Sequence, residues 1–249
     1  MIYRSLLALI LTTSLTFASA AVNAEQTLNI ATDTSYMPFE FKQNGKYVGF
    51  DIDIWAEIAK EQGWKYELHP MDFNGIIPAL QTRNIDGGLA AMAIREERKK
   101  VVDFSAPYYE SGHAILVRAD NTSIKSWADL DGKVVASKTG TTTIDWIKTH
   151  LKPKELQQFP NVDSEFLALQ AGRVDAVIED TPVIAYYVNN EGKGKTRLAG
   201  EPVIADPYGF AFQKGSPLVS KVNESLAKMQ ADGRYAQIYR KWFGDAGQK

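Results

Sequence analysis

At 249 residues with 45% hydrophobic and 11% aromatic content, the chain is long enough for one large domain or two smaller ones with cores of their own. Its 28 basic and 30 acidic side chains leave a formal charge of -2, which excludes a surface built electrostatically for nucleic acid or an anionic membrane and leaves a small neutral or zwitterionic partner open. With no cysteine there are no disulfides, so burial must stabilise the fold.

Residues 1–24 read as an export signal. A basic start at Arg4, an apolar stretch over 6–18, and the small residues Val22, Asn23 and Ala24 fit cleavage after Ala24, with Ala20 as the alternative. The apolar stretch is shorter than the roughly 20 residues that cross a bilayer, and no cysteine stands near the cleavage site to carry a lipid. The mature chain is therefore expected free in a bacterial periplasm.

Residues 28–31 predict a strand, ended by the loop 32–38. Phe50, Ile54, Ile58 and Ala59 have the spacing of an amphipathic helix over 50–62, stopped by Gly63. A second strand is expected over 66–70, a second helix over 75–82, and helices over 219–242. Strands alternating with helices predict an α/β fold.

An internal echo organises the chain. Residues 79–91 (ALQTRNIDGGLAA) align without gaps with 168–180 (ALQAGRVDAVIED), and 28–33 (LNIATD) align more weakly with 133–138 (KVVASK). Two similar α/β lobes follow. Ligands of open α/β sheets collect at the carboxyl ends of strands, which would place Asp33, Ala90, Ala91, Lys138, Glu179 and Asp180 around one cleft. Glycine with tyrosine or proline marks two hinge-like crossings, at 108–112 and 204–208. Lobe 1 would then be discontinuous, 25–107 with 209–249, and lobe 2 would be 113–203.

Six consecutive charges, Arg95, Glu96, Glu97, Arg98, Lys99 and Lys100, follow a strand end and read as the start of a short helix. Most should face water. One basic residue turned back to the strand end would meet helix-start N–H groups in a site for an anion, and a guanidinium grips a carboxylate through two parallel hydrogen bonds. Spacing leaves Arg95 and Arg98 tied.

The segments ATDT (31–34), PFEFK (38–42), KYVGFD (46–51), PMDF (70–73), GIIPALQT (75–82), ERKK (97–100), DLDGKVVA (129–136), DTP (180–182) and KWFG (241–244) resemble the periplasmic solute-binding proteins of polar amino-acid ABC importers, most closely those for glutamine. The resemblance implies a periplasmic-binding-protein type II-like fold, with two α/β lobes joined by two hinge strands and the ligand in the cleft. It implies that Arg98 holds the ligand α-carboxylate, Asp180 the α-ammonium, and Asp33 the side chain. Tyr36 and Phe73 would enclose the aliphatic stem, Lys138 would lie near the side-chain end, and Ala90 would offer backbone groups. The implied partners are a free amino acid and an inner-membrane ABC permease, with a monomeric protein and no cofactor.

Four positions depart from the glutamine pattern: Ala91 and Thr142 stand for glycines, Ala93 for a hydroxyl residue, and Glu179 for a histidine. The lost hydroxyl removes a hydrogen bond of about 1 kcal/mol. Glu179 adds negative charge beside Asp180, which makes a basic ligand a second expectation. A dehydratase of the same fold, with Glu179 as general acid, is the enzyme alternative. A sensor ectodomain would need a membrane helix after the second lobe, and the sequence ends at Lys249. His69, His113 and His150 are too scattered to suggest a metal, and KTGTT (138–142) lacks the glycine and Gly-Lys-Ser/Thr ending of a phosphate loop.

Overall fold

The computed structural model describes residues 27–245, and the expected export signal lies outside them. In chain order, β1 (Leu28–Asp33), β2 (Ser35–Tyr36), β3 (Glu40–Gln43), β4 (Lys46–Val48), α1 (Phe50–Gln62), β5 (Tyr66–Met71), α2 (Phe73–Gln81), β6 (Gly87–Leu89), the one-turn α3 (Glu96–Lys99) and β7 (Val102–Phe104) come first. Then follow β8 (Gly112–Arg118), β9 (Val134–Lys138), α4 (Thr142–His150), β10 (Glu155–Phe159), α5 (Val162–Gln170), β11 (Ala176–Asp180), α6 (Thr181–Asn189) and β12 (Thr196–Ile204). The last elements are β13 (Ala211–Gln213), α7 (Leu218–Asp232) and α8 (Arg234–Phe243).

The strands form two five-stranded sheets of matching design, ordered β5-β1-β6-β13-β7 and β10-β9-β11-β8-β12, and a small three-stranded sheet of β2, β3 and β4. In each large sheet the first three strands are parallel and the fourth runs antiparallel to them. Both faces of each sheet are covered, so strand residues are buried on alternate sides. Ile30 packs with Trp55 and Ile58 of α1, whereas its neighbour Ala31 packs with Ile76 and Leu80 of α2. In the second sheet Val135 joins Ile147 of α4, and Ala136 joins Phe166 and Leu169 of α5.

Helix α1 has the bounds its sequence predicts. Gly49 enters it at φ 143, where a Cβ would lie 2.0 Å from the Phe39 carbonyl oxygen, so only glycine fits. Gly63 ends it in the left-handed conformation. The ring of Phe50 then packs against Tyr235, Tyr239 and Phe243 of α8.

The echoed segments are the same structure twice. Asp86 accepts from the Asn29 N–H at 2.8 Å and Asp175 from the Val134 N–H at 2.8 Å, while their own N–H groups donate to the Asn29 and Val134 carbonyls at 2.7 and 2.8 Å. Each aspartate thus ties the turn after a helix to the neighbouring strand. The turns also match: Arg83 at φ 59 occupies the place of Gly172 at φ 71.

Two crossings join the sheets and pair with each other. Tyr108 N–H donates to the Tyr208 carbonyl at 3.0 Å, and Tyr208 N–H donates to the Tyr109 carbonyl at 2.9 Å. Gly112 and Ile204, at the ends of these crossings, are already residues of the second sheet, where they pair.

Candidate functional site

The carboxyl ends of β1, β6, β9 and β11 converge. Tyr36, Phe73, Ala90, Ala91, Ala93, Arg98, Lys138, Thr142 and Asp180, all expected from the sequence, line one cavity with Thr141, which was not expected. Its interior is about 10 Å³, so the sheets are closed upon it. Asp33 and Glu179 do not line it. They lie just behind, bonded to residues that do.

At one end is a buried ion pair. Lys138 reaches from β9 across the cleft to the Asp33 carboxylate at the end of β1, and each side chain is 1% exposed. The Lys138 ammonium lies 4.8 Å from the Tyr36 ring centroid and 5.6 Å from that of Phe73, an arrangement attractive to a cation. Burial pulls this ammonium down to about 8, and the Glu179 carboxylate is the strongest influence holding it up.

Glu179 is fully buried. It accepts from the Ser137 hydroxyl at 3.0 Å, the Lys138 N–H at 2.8 Å and the Tyr36 hydroxyl at 3.1 Å. Burial pushes its carboxyl up to about 7 and the charge of Asp180 adds to that, while the Lys138 N–H opposes both. Glu179 therefore adds to the field beneath the cavity but offers no surface to it.

Asp180 opens α6 in the N-cap position, yet its side chain makes no cap bond and turns to the cleft. Its Oδ2 accepts from the hydroxyls of Tyr36, at 2.7 Å, and Tyr208, and its Oδ1 lies 3.2 Å from His113 Nδ1. Burial raises both phenols well above their ordinary range, so they act as donors.

Arg98 resolves the tie in the charge run. Its Nη1 donates to the Ala93 carbonyl at 2.9 Å and its Nη2 to the Gly140 carbonyl of the opposite sheet at 3.1 Å, with the guanidinium 5.4 Å from the Phe73 centroid. Burial lowers it to about 10, and the charge of Arg95 contributes further. Arg95 is not simply a solvated residue, as the charge run suggested: it pairs with Asp145 at 3.4 Å and Asp206 at 3.0 Å. Two helix starts lie near the cavity. Helix α3 has four residues, whereas the nine-residue α4 begins at the cavity with Thr142.

The cleft loop carries strain where the glutamine pattern has glycine. Ala91 has φ 42, which costs a non-glycine residue roughly 1–2 kcal/mol, and its N–H donates to Asp51 at 3.0 Å. Asp51 also accepts from the Tyr108 hydroxyl at 2.7 Å, and burial pushes its carboxyl up to about 7. Asp51, His113 and Tyr208 were not read from the sequence as site residues. Their roles depend on contacts between distant segments, for which spacing gives no signal.

Among the described residues no cluster of histidine and carboxylate side chains could hold a metal, and no helix is long and apolar enough to cross a membrane. Two like-built α/β sheets closing on a cavity, with a guanidinium, a carboxylate and an ion pair around it, define a two-lobed solute-binding protein of the periplasmic-binding-protein type II fold. The chain belongs to the bacterial extracellular solute-binding proteins, family 3, whose model matches residues 28–245. It is 37% identical over 232 residues to the ABC transporter glutamine-binding protein of Bacillus subtilis, covering 91% of this chain and 84% of that one. An ancestral arginine-binding protein, solved with arginine and with glutamine, matches at 47% identity and a TM-score of 0.82, over 88% of this chain and 98% of its own. An ancestral amino-acid-binding protein described as a precursor of cyclohexadienyl dehydratase matches at 43% identity and a TM-score of 0.80, over 87% and 95%. The chain is thus a bacterial extracellular solute-binding protein, and the relatives that it matches are named mostly for the amino acids they bind.

Proposed function

We propose that the protein binds free L-glutamine by lobe closure in the periplasm and delivers it to an inner-membrane permease. The moving bodies are residues 27–107 with 209–245 and residues 112–204, with hinges at 108–111 and 205–208. A ligand that touches both bodies only when they meet shifts the open-closed equilibrium toward closed.

The observation that carries the choice of glutamine is the Asp33–Lys138 pair beside Tyr36 and Phe73. It presents one acceptor and one donor. A carboxamide that parts the pair answers both: its carbonyl accepts from Lys138 Nζ, which lines the cavity, and its NH₂ donates to the Asp33 carboxylate that Lys138 otherwise covers. At the other end Arg98 takes the α-carboxylate and Asp180 the α-ammonium. A guanidinium or second ammonium on the ligand would meet the like charge of Lys138.

One observation favours a basic ligand instead. Asp33, Glu179 and Asp180 are all buried near the cleft against the cations Lys138 and Arg98, and the arginine-binding relative was solved with either amino acid. Dehydration with Glu179 as the acid is poorly supported, since that side chain does not line the cavity.

The test is isothermal titration of protein freed of carried-over ligand, against L-glutamine, L-arginine, L-lysine and L-histidine. L-Glutamine should bind tightest, and Lys138→Met should reverse its order with L-arginine. Tighter binding of L-arginine to the unaltered protein would replace glutamine by the basic-ligand reading.

A further inference from the structure

Strand β8 runs antiparallel to β11 with His113 directly opposite Asp180, so the two side chains lie on one face of the second sheet. His113 is 3% exposed. Its Nδ1 is 3.2 Å from Asp180 Oδ1 and 3.3 Å from the Thr143 hydroxyl. An ionised carboxylate only accepts, so the bond to Asp180 requires the hydrogen on Nδ1. The imidazole thereby fixes one oxygen of the carboxylate while Tyr36 and Tyr208 fix the other.

His113 does not line the amino-acid cavity. It lines a second pocket of about 390 Å³, which shares Thr142 with that cavity, together with Arg95, Asp145, Trp146, His150 and Asp206. The charged and titratable groups around it are therefore Asp180 from β11, Asp145 and His150 from α4, Arg95 before α3, and Asp206 from the second crossing; from β12 it is paired with Val203. This pocket gives a proton a route to the ring that does not pass through the ligand.

We propose that His113 is a positioning residue that orients Asp180 for the ligand α-ammonium and, once protonated, competes with that ammonium for the same carboxylate. The inference rests on Asp180 as the ammonium site. Two cations against one carboxylate oppose each other, so ligand binding and His113 protonation are negatively coupled, and the coupling is reciprocal. Bound ligand drives the proton off, and acid drives the ligand off.

The test follows the histidine ring signals of the full protein by NMR across pH 5 to 8, with and without saturating L-glutamine, or L-arginine if that binds tighter. There are three histidines, so His113→Gln assigns the signal. The His113 titration should move to lower pH on adding the amino acid, while His69, bonded to Asn29 on β1, stays. The affinity of the unaltered protein should fall relative to that of His113→Gln by up to about tenfold per pH unit on the acidic side of the transition. A His113 titration unmoved by saturating ligand, or parallel affinity-pH curves for the two proteins, would overturn the proposal. Asp180→Asn separates the causes: lost binding with a His113 titration identical, without ligand, to that of the unaltered protein defeats this inference alone, and undiminished binding defeats the ammonium site and the inference with it.

Discussion

Asp86 and Asp175 tie equivalent turns to equivalent strands with nearly equal bond lengths, whereas Asp33 and Lys138, at the ends of those strands, carry opposite charges and bond to each other. The next strand ends differ as well: Ala90 and Ala91 in the first sheet answer to Glu179 and Asp180 in the second. The backbone is duplicated and the cleft chemistry is complementary. Two identical ends facing each other would repel or leave charges unpaired, whereas an acidic end and a basic end close into one site. The scaffold thus tolerates near-identity in its turns, and the ligand requires difference at the rim.

Breaking the complementary pair should have the largest effect. Lys138→Met leaves the Asp33 carboxylate buried without its cation, and should cost about 3–5 kcal/mol in urea unfolding. Removing both charges in Asp33→Asn/Lys138→Met should recover most of that loss, because paired removal leaves no uncompensated ion. A double variant as unstable as the single one would show that packing of the lysine stem, not the charge, holds the ends together.

The duplicated part is tested by matched substitutions. Asp86→Ala and Asp175→Ala each unpair one strand N–H, and each should cost about 1–3 kcal/mol of stability. Equal costs would support equivalent anchoring. A cost confined to one would mean that the two sheets have diverged in what this bond supports. The smallest effect is expected at Arg83, which adopts the left-handed conformation where the other copy has Gly172. Arg83→Gly should stabilise by roughly 0.5–1 kcal/mol, the relief of strain exceeding the added entropy of the unfolded chain, and should raise the melting temperature slightly.

What the sequence disclosed follows the same division. Helix α1 was legible because its apolar residues recur at helical spacing and Gly63 stops it. The echo was legible because backbone turns impose local residue types. The four-residue extent of α3 was less clear, since a run of charges suits a longer surface helix equally well. The Lys138–Asp33 bond, the turn of Arg95 toward Asp145 and Asp206, and the approach of His113 to Asp180 were hidden. Each joins segments far apart in the chain, and the last requires the register of β8 against β11.

The order in which strands enter the first sheet has a kinetic consequence. The second sheet draws all five strands from 112–204, but the first closes only when β13 pairs between β6 and β7, with Ala211 opposite Gly88 and Phe104. The intervening chain must be gathered before that pairing forms, and closure entropy makes such long-range contacts late. As the polypeptide emerges, β6 therefore presents an unpaired edge while the second sheet can already assemble. That open edge is where a nascent chain of this topology is most exposed to pairing with the wrong partner.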